Sequence, residues 1–144
     1  MSATVTMRRF AESVIALEKR ANRSSGATLP AAFYVCGKLR PHLANLMGGT
    51  GFAALLSRVL AVASADVPWL RGLQVKADGT LDGWAEIEAQ VDPEMGAEGS
   101  VVLVAQLLAL LAAFIGENLV LRMLHDVWPE LSLADFDSKK GDTK

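Results

Sequence analysis

The chain has 144 residues, 51% hydrophobic and 21% charged, which is enough for one domain with a real core and too apolar for a disordered chain. Its net charge of −2 divides unevenly: residues 1–44 hold seven basic and two acidic groups, and the remainder seven basic and fourteen acidic. A single cysteine, Cys36, excludes an intrachain disulfide and suits a reducing compartment.

The N-terminus places Arg8 and Arg9 without an apolar stretch behind them, so no signal peptide is expected and the expected location is cytoplasmic. From about Thr4 to Asn22, Met7, Phe10, Val14, Leu17 and Ala21 recur at spacings of three and four, the stripe of an amphipathic helix. Asn22-Arg23-Ser24-Ser25-Gly26 ends it. Thr28 is a candidate cap for a second helix, with Pro30 in its first turn and Phe33, Cys36, Leu39, Leu43 and Leu46 facing inward. Pro41 lies inside this pattern and predicts a kink or break near residue 40.

Gly48-Gly49-Thr50-Gly51 lacks the Gly-Lys-Ser/Thr ending of a phosphate loop. It reads as a tight connection, with Thr50 capping a third helix whose inner stripe is Phe52, Leu55, Leu56, Val59 and Val62. Leu73-Gln74-Val75-Lys76 alternates like a strand and Asp78-Gly79 is a turn signal, so a small hairpin fits residues 73–81. Leu81 to Val91 reads as a short acidic helix with Trp84, Ile87 and Val91 inward.

The last helix is expected from about Ser100 to Val127, stopped by Pro129. Between Val101 and Ile115 its only polar side chain is Gln106. A helix apolar all round must be covered on all sides, since each large exposed side chain forgoes roughly 1.5–3 kcal/mol of burial. A membrane is one such environment, but the uninterrupted run falls short of the roughly 20 residues of a span and is closed by Glu117-Asn118. The others are the domain's own core and a subunit interface. Ala105, Ala109, Ala112, Ala113 and Gly116 converge on one face at helical spacing, where another helix can approach closely.

The fold expected is all-α: one domain over residues 1–136, about five helices around the long apolar C-terminal helix, and a disordered tail over 137–144. No catalytic constellation or metal site is legible, and no cofactor is expected. His125-Asp126 resembles the dyad of HD-type metal-dependent phosphohydrolases, but the resemblance is two residues long and the further histidine and aspartate are missing. Asn118, Arg122 and His125 share one helix face and form a candidate polar binding patch. Arg8, Arg9, Lys19, Arg20 and Arg23 form a candidate basic surface; a basic helix lying beside acidic ones explains them more simply. The function expected is a non-enzymatic interaction or assembly module that self-associates, a dimer being favoured, as a small accessory or regulatory subunit. The alternatives are a nucleic-acid-associated subunit using the basic region and a membrane-associated regulator using the last helix.

Overall fold

The apolar stripes order the molecule. The computed structural model describes residues 3–21 and 29–131; Thr28, Arg23 and the expected tail over 137–144 lie outside them. In α1 (Ala3–Ala21) the stripe Met7, Phe10 and Val14 is fully buried, widened by Ala11 and Ile15, while Ala21 is exposed. α1 packs most extensively on α5 (Pro93–Ile115), the central element.

α2 (Ala31–Met47) runs through Pro41 as one helix, so of the expected kink or break near residue 40 the break does not occur. Pro41 is exposed, and so is Gly37, whose carbonyl loses the proline's missing N–H to water rather than to the core. Leu39 and Leu43 are buried as expected; Leu46 is 51% exposed.

A single residue, Gly48 at φ 81°, joins α2 to α3 (Gly49–Asp66), so Thr50 lies inside the helix rather than capping it. The left-handed backbone there suits glycine, and its own N–H closes α2 on the Ala44 carbonyl. On α3 the buried row is Phe52, Leu55, Leu56 and Val59, continued by Leu60 and Ala63; Val62 faces out.

A 3-10 turn, Pro68–Gly72, leads into the hairpin of β1 (Gln74–Val75) and β2 (Leu81–Asp82), antiparallel with Gln74 opposite Asp82 and Val75 opposite Leu81. Asp78 holds its turn by accepting hydrogen bonds from the Thr80 amide and hydroxyl. Leu81 therefore belongs to a strand, and the acidic helix is shorter than expected. Gly83 at φ 104° resets the backbone, after which α4 (Trp84–Ile87) and a 3-10 turn (Glu88–Gln90) follow.

The long C-terminal helix is two helices. α5 starts earlier than expected, at Pro93, where Asp92 accepts the Met95 amide at 2.8 Å as an N-cap and proline takes the first position. It stops at Gly116, φ 91°, which passes directly into α6 (Glu117–Val127). Among the described residues the fold is thus an all-α bundle of six helices with a two-stranded hairpin. Val102 to Ala105, Leu107, Leu108 and Leu111 of α5 are covered by the surrounding helices in one cluster of buried side chains.

Candidate functional site

The cover over α5 is uneven along its length. Its middle turns are buried all round, but towards Ile115 one face opens: Gln106, Ala109 and Leu110 are half-buried, and Ala113 and Phe114 are exposed. Phe114 is 67% exposed, the most exposed large apolar side chain among the described residues. Leu119 of α6 is exposed nearby in sequence. The small-residue stripe is accordingly divided. Ala105 is buried inside the chain, Ala109 and Ala112 pack partly against the core, and Ala113 and Gly116 reach solvent.

α6 is amphipathic: Val120, Met123 and Leu124 are buried, and Asn118, Arg122 and His125 lie together on its exposed face. None of these three has a hydrogen-bond or ion-pair partner among the described residues. Asn118 and Arg122 line an open hollow with Ile115, Gly116, Glu117 and Leu119, so a polar patch borders the apolar end of α5. His125 and Asp126 are both exposed, and no group of three metal-ligating side chains occurs among the described residues.

The basic surface is partly neutralised by the chain itself. The Arg8 guanidinium lies 3.1 Å from Glu98 of α5 and 3.4 Å from Glu12. Outside the candidate set, Lys38 lies 2.6 Å from Glu18. Arg9, Lys19 and Arg20 are exposed without ion-pair partners among the described residues. Cys36 is buried, and loss of hydration pushes its thiol up to about 12, which suits packing rather than nucleophilic chemistry.

A second feature escaped sequence reasoning. A cleft of about 530 Å³ opens between the end of α1, the start of α2, α4 and the start of α5. Trp84 lines it, packed against the rings of Phe33 and Trp69 at centroid distances of 6.1 and 5.5 Å. Trp69 is itself held by its Nε1 donating to the Met95 carbonyl at 3.0 Å, and its indole lies over Gly99, where an added Cβ would come within 2.4 Å of the ring. Trp84 is only 9% exposed, yet its Nε1 has no acceptor among the described residues. A buried donor left unpaired costs about 1–3 kcal/mol. Trp84 was legible as an inward-facing side chain; the missing acceptor depends on neighbours distant in sequence.

No family model matches the chain, and comparison with curated proteins and with solved structures finds no match.

The geometry therefore offers two features that the core does not explain: the exposed apolar end of α5 beside the polar face of α6, and the cleft floored by Trp84.

Proposed function

We propose that this protein is a non-enzymatic helical assembly module that forms a symmetric dimer through the C-terminal turns of α5. The observation that carries this reading is the exposed Phe114 standing beside Ala113 and the half-buried Ala109 and Leu110. A two-fold interface must be complementary to itself. This patch supplies both a large aromatic projection and a small-residue depression, so two copies can each seat Phe114 over the alanines of the other. Asn118 and Arg122, exposed at its edge, suit the polar rim of such a contact.

The same observations weigh against the alternatives. α5 is long and apolar enough to cross a membrane by length and composition. However, Leu103, Val104, Leu107, Leu108 and Leu111 are already covered within the chain, leaving lipid little more than its last turns. For nucleic acid, Arg8 is engaged by Glu12 and Glu98, and although Arg9, Lys19 and Arg20 stay exposed without ion-pair partners among the described residues, acidic groups outnumber basic ones over the chain, 16 to 14. Light scattering over a concentration series tests the proposal: a mass of twice 15.3 kDa supports it, and a monomer throughout overturns it.

A further inference from the structure

We propose that the dimer is domain-swapped: Gly116 straightens, α5 and α6 become one helix, and each copy docks its α6 in the seat that α6 fills on the other. The inference rests on the assembly reading and adds how the two chains join. It begins from a disagreement between local pattern and fold. The run from Ser100 to Val127 has helical periodicity and holds no proline, yet one residue, Gly116 at φ 91° and ψ 148°, turns the chain between α5 and α6. A continuous helix needs only these two angles to change. A Cβ placed on Gly116 meets nothing within 4 Å, so no neighbouring atom packs against the hinge on that side.

The seat, rather than the hinge, holds α6 back. Val120, Met123 and Leu124 are buried in it, and Trp128 just beyond donates its indole N–H to Glu18 of α1 at 2.7 Å. A second copy offers an identical seat, so exchange keeps each of these contacts and alters only the hinge. Gly48 makes the same one-residue turn between α2 and α3, but there the hairpin, α5 and α6 would all have to cross with α3. α6 is short and is the last helix among the described residues, so it can cross alone. Straightening also gives the apolar residues near the hinge a place. On one continuous helix Leu110, Phe114 and Leu121 fall at spacings of four and seven, a stripe interrupted only by Glu117. The bend splits this stripe and leaves Phe114 67% exposed and Leu110 and Leu121 half-buried. As one helix Pro93–Val127 is about 52 Å long, and two such helices crossing at their hinges bring the stripes together, with Phe114 over the alanines of the other copy.

The test follows the path of a single chain. Spin labels attached through Ala16→Cys and His125→Cys, both at exposed positions, in a Cys36→Ala chain report the distance from α1 to α6. The contact of Trp128 with Glu18 keeps that distance short in a closed chain. The labelled chain is refolded with an excess of unlabelled chain, and dimer and monomer are separated. A longer distance within the labelled chain is expected in the dimer than in the monomer. Gly116→Ala disfavours the positive φ and favours the helix, and is expected to tighten the dimer about tenfold. Inserting Gly-Ser-Gly after Gly116 relaxes the bend and is expected to weaken the dimer by a similar factor. Circular dichroism establishes that each variant is folded; should Gly116→Ala not fold, the insertion and the label distance decide. The same short distance in dimer and monomer, or a dimer not tightened by folded Gly116→Ala, overturns the exchange and leaves the surface contact through Phe114 standing. A wild-type monomer at every concentration overturns both.

Discussion

Lys38 of α2 places its ammonium 2.6 Å from Glu18 Oε2 of α1, a carboxylate only 1% exposed that also accepts the Trp128 indole N–H at 2.7 Å. One buried charge thus ties α1, α2 and the residue after α6 together. A buried charge is tolerated when it is paired and hydrogen-bonded, and removing one partner strands the other. Lys38→Met keeps the alkyl stem and is expected to lower stability by about 1–3 kcal/mol, discounted towards the lower end because the lysine side chain is half exposed. Glu18→Gln retains an acceptor for Trp128, so the double variant Glu18→Gln/Lys38→Met should lose less than the sum of the single changes. Urea unfolding of the four proteins measures this coupling; strict additivity contradicts it.

Ser100 acts at a distance as part of a helix start. α2 has no side-chain cap of its own at Pro30, and the buried Ser100 hydroxyl of α5 accepts the Ala32 amide at 3.2 Å. Ser100→Ala removes the acceptor and leaves that N–H buried, with an expected cost of about 1–3 kcal/mol. Ser100→Thr keeps the hydroxyl and should retain more of the stability than alanine if the hydrogen bond, rather than side-chain size, sets the loss. Thermal unfolding compares them, and equal melting temperatures for Ser100→Ala and the wild type contradict the assignment.

Helical stripes and the hairpin were legible because each follows from local periodicity. Met7, Phe10 and Val14 repeat on one helix face, and Asp78-Gly79 lies in the turn between paired strands. Leu46 and Val62 fit the same periodicity but are exposed, because a stripe says which way a residue points and not whether a neighbour reaches that far. Asp92-Pro93-Glu94 is a helix start readable from sequence, obscured by Gly96 and Gly99 just inside the helix. The reason for Gly99 is tertiary: the indole of Trp69 lies where its side chain would be. Gly116 is a similar case, since glycine inside an apolar run is compatible with a continuous helix, and only its φ of 91° divides α5 from α6. The cleft was illegible for the same physical reason, being a space between elements brought together by folding.

Cys36 makes burial measurable through its chemistry. With the folded thiol pushed up to about 12, an aromatic disulfide reagent at pH 8 should label it only when the chain opens, and labelling should accelerate through the urea transition. The linkage has a definite sign. An unfolded thiol ionises near 8.5, so between about 8.5 and 12 the unfolded chain loses a proton that the folded chain keeps. Stability should fall as pH rises through that window, by at most about 1.4 kcal/mol per pH unit from this group, and Cys36→Ala should remove the contribution. Rapid stoichiometric labelling of the native protein at pH 8 contradicts the buried assignment.

Phe114 and Ala113 provide the sharpest test of assembly because both are exposed at the open end of α5. Changing them disturbs the chain's own packing little, unlike Ala109, which rests partly against the core. Phe114→Glu places a charge where the proposed contact excludes water, and aromatic residues at interface centres commonly contribute about 2 kcal/mol or more. Dimer dissociation should therefore strengthen roughly thirtyfold, with the helical circular dichroism spectrum unchanged. Ala113→Trp should weaken association by holding the partner helix away. Ala109→Trp is expected to act twice, loosening the dimer and lowering intrinsic stability by about 1–3 kcal/mol through overpacking. Light scattering and thermal unfolding on the same samples separate these effects. A dimer unaltered by both Phe114→Glu and Ala113→Trp would place the interface elsewhere on the molecule.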